Sequence, residues 1–150
     1  RQAGVPFVVD DDVQAALEAQ ADGVHVGQDD AACADARDLL GPDKIVGVSV
    51  QTVGQALAAQ AAGADYLGVG ALFGTPTKPD ATLVSLDELR AVCQAVDVPV
   101  VAIGGLNERT VPALAGTGVD GAAVVSALFA AADPQAAART LAARVRAVLE

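Results

Sequence analysis

Acidic side chains gather where two short apolar runs end. Asp10, Asp11 and Asp12 follow the run 5–9, and Asp29 and Asp30 follow the run 24–26. Carboxylates from adjacent loops can share a Mg²⁺ ion, which takes one or two carboxylates together with phosphate oxygens of a substrate. The competing role for any one of these residues is to cap the helix that follows, which Asp does well. Gly104-Gly105 follows a third apolar run, and Val124-Val125-Ser126 closes a fourth. Glycines after a strand let backbone N–H groups approach an anion, so these two places together are read as a phosphate site. A plain tight turn and a helix cap at Ser126 are the alternative.

The loop 70–80 has no periodicity and is long for a compact domain, which marks it as functional. It carries Lys78, one of only two lysines, beside Thr75 and Thr77 and between Pro76 and Pro79. A cation flanked by hydroxyl donors reads as an anion clamp, with a solvated surface loop as the alternative. Serine occurs only at 49, 85 and 126. Ser49 ends an apolar run with no base near it in sequence, so it reads as a hydrogen-bond donor, not a nucleophile. His25, between Val24 and Val26, reads as a satisfied interior histidine, and Cys33 and Cys93 read as packed thiols.

These residues need elements to hold them. The runs 5–9, 24–26, 45–50, 66–69, 98–103 and 121–125 are short, β-branched and almost continuously apolar, as strands of a parallel sheet buried on both faces are. Helical spacing fills the gaps at 13–20, 31–40, 53–62, 86–96, 110–114 and 134–149. Asp133 before Pro134 is a helix start, and Gly41-Pro42 is a helix stop. Asp22, Asp65 and Asp120 recur at equivalent helix-to-strand joints, 43 and 55 residues apart, so one βα unit is reused and these carboxylates are expected to serve the joints. No Gly-x-Gly-x-x-Gly follows the first strand, and polar or glycine residues follow each strand at its C-terminal end. Both features favour a (β/α)₈ barrel over an open dinucleotide-binding sheet.

The chain has 150 residues and a formal charge of −10, with 53% apolar and 3% aromatic residues. That composition excludes a nucleic-acid binder, which needs a basic stripe and stacking platforms. Two cysteines sixty residues apart and one histidine exclude a disulfide framework or zinc site. No run of eighteen apolar residues and no signal-peptide pattern occur, so no membrane partner is expected and the expected compartment is the cytoplasm. The expected partners are small phosphorylated molecules and, at most, further copies of the same chain.

Taken in order, residues 11–30, Gly47-Val48-Ser49, the loop Gly74-Thr75-Pro76-Thr77-Lys78, Ile103-Gly104-Gly105 and Val124-Val125-Ser126 resemble the thiamine-phosphate synthase family. The resemblance runs over essentially the whole chain. It implies a (β/α)₈ TIM barrel that joins hydroxymethylpyrimidine diphosphate to thiazole phosphate, releasing diphosphate. It further implies Asp11 and Asp30 as Mg²⁺ ligands, with Ser49 and Lys78 on the pyrimidine diphosphate and serving catalysis. Thr75, Pro76, Thr77, Gly105, Val125 and Ser126 would then hold the thiazole phosphate. Where the family usually places Asn before the first metal ligand, this chain has Asp10, expected to face substrate. Family members also begin with two further βα units, so residues 1–150 are expected to form one barrel domain covering its last six units. A thiazole tautomerase is the neighbouring enzyme reading, but the position of its catalytic His is Ala71 here. A phosphate-binding barrel without catalysis is the reading outside the enzymes.

Overall fold

Six parallel strands form one sheet in the order of the chain: β1 (Val8–Asp10), β2 (Gly23–Val26), β3 (Ile45–Val50), β4 (Tyr66–Val69), β5 (Val100–Ile103) and β6 (Gly121–Ala123). The structure, a computed structural model, describes residues 3–28, 32–74 and 82–150. Helices α1 (Val13–Glu18), α2 (Cys33–Leu40), α3 (Val53–Ala61) and α4 (Leu86–Ala95) follow the first four strands. A 3₁₀ turn at Val111–Leu114 follows β5, and α5 (Ser126–Phe129) and α6 (Pro134–Leu149) follow β6. Consecutive parallel pairing throughout is the winding of a (β/α)₈ barrel, and an open doubly wound sheet would reverse its order at some point.

Alternation along the strands separates two faces. Val24, Val26, Val46, Val48, Leu67, Val69, Val100 and Ala102 are buried and pack with helix residues such as Ala36, Ala56, Leu89 and Val92 into one core. Alanine on the helices lets them lie close to the valine-covered sheet. The other face is the concave, barrel-interior one. Along it, register pairs Asp10 with His25, His25 with Gly47, and Gly47 with Tyr66. The next interior row is Ser49, Gly68, Val101 and Gly121. The non-glycine members of these rows stay partly exposed, in contrast to the helix-facing set. Among the described residues β1 and β6 each pair on one side only, and large apolar side chains stand exposed beside both edges: Val5 and Phe7 at one, Val125 and Phe129 at the other.

The repeated joint is a clamp. Asp22 accepts from the amide of Phe7, Asp65 from that of Val46 and Asp120 from that of Val100, at 2.7, 2.7 and 2.8 Å. The amide of each Asp in turn donates to the carbonyl of the same residue. Each even strand is thereby tied to the N-terminal start of the strand before it. Arg37 adds a second fastening at that end of the sheet, donating to the carbonyls of Gly41, Lys44 and Gly63 and to Asp65 Oδ2 at 2.6 Å. We expect Arg37→Ala to cost about 2–3 kcal/mol, because four hydrogen bonds, one to a charge, are lost from a mostly covered side chain. Thermal melting should fall by roughly 5–10 °C, with Arg37→Lys recovering only part because an ammonium lacks the planar fork. A melt unchanged within 1–2 °C would show that water replaces the guanidinium at no cost.

Three expectations are corrected. The first strand, expected at 5–9, runs from Val8 to Asp10, because Pro6 has no amide to give a ladder and the amide of Phe7 is taken by Asp22. The last strand, expected at 121–125, ends at Ala123, so Ser126 does not close a strand but begins α5 with Val125 at its N-cap. The helix expected at 110–114 is a single 3₁₀ turn with Pro112 inside it.

Candidate functional site

The C-terminal ends of the strands carry the polar residues, and each is placed by a local cause. Asp10 ends β1, and Asp11 follows with φ 64°, a left-handed conformation uncommon outside glycine. The amide of Asp12 donates to the carbonyl of Asp10 at 2.8 Å, closing a three-residue turn around Asp11, while the amide of Asp11 donates to the carbonyl of His25 at 2.7 Å. Asp12 is the capping residue: its Oδ1 accepts from the amide of Ala15 at 2.9 Å at the start of α1. The three consecutive carboxylates are thus divided, with Asp12 serving the helix while Asp10 and Asp11 sit exposed at the strand end.

Ser49, at the C-terminal part of β3, is held twice. Gln28 Nε2 donates to its carbonyl at 2.7 Å, tying the start of the β2–α2 loop to β3. Its Oγ lies 2.9 Å from His25 Nε2. His25 Nδ1 lies 2.9 Å from the Tyr66 hydroxyl, and the two rings are tilted at a centroid distance of 5.3 Å. The chain Tyr66–His25–Ser49 therefore spans β4, β2 and β3 on the interior face. It fits because Gly47 and Gly68 carry no side chain there: a Cβ at Gly47 would strike the Tyr66 ring and His25 Nδ1, and one at Gly68 would lie 3.0 Å from His25 Cε1. Burial pushes the Tyr66 phenol above its ordinary value, and the nearby negative charge of Asp10 adds to this, so Tyr66 keeps its proton. The satisfied-histidine reading of His25 is right, but these partners make it part of the site. Tyr66 was missed by sequence reasoning. The available signal was alternation: Leu67 and Val69 face the helices, so Tyr66, one residue before Leu67, must face the interior.

Gly105 follows β5 with φ 66°, and a Cβ there would lie 2.6 Å from the carbonyl oxygen of Phe73. The amides of Leu72 and Phe73 donate to the carbonyls of Ile103 and Gly104, so the β4–α4 loop departs along the end of β5. Asn107 Nδ2 and the Thr110 hydroxyl both donate to the carbonyl of Gly105 at 3.0 Å and fix this turn. On the neighbouring strand Ile103 pairs with Ala123, three residues before Ser126. No side chain caps the start of α5 at Val125, which leaves the first amides of that turn for another acceptor. Gly105, Val125 and Ser126 thus come from the ends of adjacent strands. Ala71, which carries no proton-transfer group, packs against Gly104.

Asp30, Thr75, Pro76, Thr77 and Lys78 lie outside the described residues. The described ones, Asp10, Asp11, Ser49, Gly105, Val125 and Ser126, all sit at or just beyond strand C-terminal ends. Burial pushes the thiols of Cys33 and Cys93 up, and Cys33 Sγ points at the carbonyls of Ala59 and Ala62, so both are packed thiols that lie among the helices.

The family described as Thiamine monophosphate synthase matches residues 1–128. The chain is 54% identical over 146 residues to a thiamine-phosphate synthase of Chloroflexus aurantiacus, covering 97% of this chain and 67% of that protein. It is 48% identical over 151 residues to one of a Roseiflexus species, covering 100% of this chain and 64% of the relative. Among solved structures, the thiamine phosphate pyrophosphorylase from Pyrococcus furiosus superposes with a TM-score of 0.91 at 41% identity, covering 100% of this chain and 72% of that one. A 3-hexulose-6-phosphate synthase superposes at 0.69 with 26% identity, over 89% of this chain and 66% of that one. The chain spans about two thirds of the length of these sequence relatives.

Proposed function

The chain belongs to the thiamine monophosphate synthase family, and from that premise we propose that its protein condenses hydroxymethylpyrimidine diphosphate with thiazole phosphate to give thiamine phosphate and diphosphate. The observation that carries the reading is the convergence of Asp11, Ser49, Gly105 and Ser126 at one end of the sheet, in a chain 54% identical over 146 residues to a thiamine-phosphate synthase. The described site holds hydrogen-bond donors and carboxylates, and its serine–imidazole pair, Ser49 with His25, is backed by the Tyr66 hydroxyl, which suits Ser49 as a hydrogen-bond donor in a substitution driven by departure of diphosphate. The C–O bond to diphosphate breaks with its electron pair going to the leaving oxygen, and the thiazole nitrogen supplies the pair for the new C–N bond. Ser49 donates to the diphosphate, and Lys78 neutralises the charge that grows on it. Thr75, Pro76, Thr77, Gly105, Val125 and Ser126 hold the thiazole phosphate and aim its nitrogen.

A magnesium ion suits the donor chemistry of Asp11, an exposed carboxylate at the end of β1, with Asp30 as the second ligand. When bound it would neutralise diphosphate oxygens. Two further βα units, pairing with the open sides of β1 and β6, would close an eight-stranded barrel and cover Val5, Phe7, Val125 and Phe129. No helix among the described residues is long and apolar enough to cross a membrane, and we place the reaction in the cytoplasm.

The test is diphosphate release on mixing both substrates with Mg²⁺. Binding of thiazole phosphate without turnover would sink the synthase reading. Within an active protein, Lys78→Ala should lower kcat by about 10–100-fold, the scale of one charge-assisted contact to the leaving group, and an unchanged kcat would refute the clamp. Ser126→Asp should weaken thiazole-phosphate binding by at least about 10-fold by setting a carboxylate against the anion. Undiminished binding in a calorimetric titration would mean that the phosphate sits elsewhere.

A further inference from the structure

We propose that Tyr66 and His25 are positioning residues that orient the hydroxyl of Ser49, through a one-directional hydrogen-bond chain from Tyr66 to His25 Nδ1, from His25 Nε2 to Ser49 Oγ, and from Ser49 to a diphosphate oxygen. The last link, and the strengthening of the chain by an anion at its end, rest on the synthase reading, and the two contacts of His25 do not. A neutral imidazole has one N–H and one bare nitrogen, and each hydroxyl has one proton. The two 2.9 Å contacts of His25 therefore allow two consistent arrangements. In one, the phenol donates to Nδ1 and Nε2–H donates to Ser49, whose own proton is then directed outward. In the other, Ser49 donates to Nε2, Nδ1–H donates to Tyr66, and Ser49 has no proton for a ligand.

Two features select the first arrangement. A phenolic O–H is a stronger donor than an alcohol, and burial together with the charge of Asp10 keeps the Tyr66 phenol protonated. Aligned donors polarise one another, so a chain that ends on an anion is strengthened along its length. Ser49 cannot drift from the chain, since Gln28 fixes its backbone carbonyl at 2.7 Å and Gly47 and Gly68 leave the two rings room to reach it. Ser49 is thus made a committed donor by residues that need not touch the diphosphate themselves.

His25 is the only histidine of the 150 residues, so a protein labelled with ¹⁵N-histidine gives one imidazole signal pair to read. We expect a bare Nδ1 and a protonated Nε2 at neutral pH. A proton on Nδ1, as would follow if the phenol turned to the Asp10 carboxylate, overturns the proposal. Tyr66→Phe, which keeps the ring, should mix the two tautomers and weaken magnesium diphosphate binding by about 3–10-fold. Ser49→Ala should weaken it by about 10–100-fold for loss of a bond to a charged group. In the Ser49→Ala background, Tyr66→Phe should change binding less than 2-fold, because its effect runs through the missing hydroxyl. Multiplying effects would mean that Tyr66 is merely structural and would overturn the proposal. If the unsubstituted protein bound no diphosphate, the functional reading would fail while the tautomer still decided the chain from Tyr66 to Ser49.

Discussion

Replacing Gly105 by Ala should destabilise the protein by about 3 kcal/mol, and replacing Gly116 by Ala by only about 1 kcal/mol. Both glycines have left-handed φ, 66° and 68°, so both substitutions carry the strain of an L-residue there, roughly 1–2 kcal/mol before the stiffer unfolded chain offsets part of it. They differ in surroundings. A Cβ at Gly116 meets nothing within 4 Å, but at Gly105 it would lie 2.6 Å from the carbonyl oxygen and 2.7 Å from the Cβ of Phe73. Backbone cannot move aside as a side-chain tip can, so overpacking adds roughly 2 kcal/mol. The difference should appear as a melting temperature lower by about 5–10 °C for Gly105→Ala than for Gly116→Ala. Equal melts would show that the approach of the β4–α4 loop to the end of β5 is not tight. The functional consequence follows from the same contact. Pushing Phe73 away moves the stretch that leads into Thr75, Pro76, Thr77 and Lys78, so thiazole-phosphate affinity should fall even at temperatures where Gly105→Ala is fully folded.

Strand interiors declared themselves in the sequence, and their joints did so only in part. β3 and β4 fall at 45–50 and 66–69 as their apolar runs predict, because burial against the helices demands an apolar residue at every second position, Val46, Val48 and Val50 in one and Leu67 and Val69 in the other. β1 shifts because the amide of Phe7 is taken by Asp22, and β6 ends early because α5 begins at Ser126, neither of which a local pattern encodes. Asp22, Asp65 and Asp120 stood out as a repeat, yet their role as clamps depends on which strand start lies beside them in space. The same limit hid Tyr66. It is 41 residues from His25, and only the register that sets both beside Gly47 brings them together. The strand-end residues Asp10, Asp11, Ser49 and Gly105 were legible because a βα unit puts polar or glycine residues where its strand stops.

If Asp11 holds the proposed magnesium ion, site and backbone pull apart there: Asp11→Gly should cost most of catalysis while relieving backbone strain. The left-handed φ of 64° is held by two backbone bonds, from the amide of Asp12 to the carbonyl of Asp10 and from the amide of Asp11 to the carbonyl of His25. A non-glycine residue held so stores roughly 1–2 kcal/mol of strain, a cost found where function fixes the side chain. Glycine removes that strain but gives the unfolded chain more freedom, worth roughly 0.5–1 kcal/mol in the opposite direction. The net change is roughly zero to one kcal/mol in favour of folding. Asp11→Ala is the control that isolates the backbone: it removes the same carboxylate, and the same repulsion from Asp10 and Asp12, but keeps the strain. Glycine should therefore be the more stable of the two by about 1 kcal/mol, although glycine is ordinarily the less stable residue. If Asp11 is a magnesium ligand, both variants should lose about 10³-fold in kcat, and raising Mg²⁺ should restore neither to the unsubstituted rate. Alanine more stable than glycine in a denaturant titration would refute the strained turn. A near-normal kcat in either variant would remove Asp11 from the metal site, and the two outcomes are read independently.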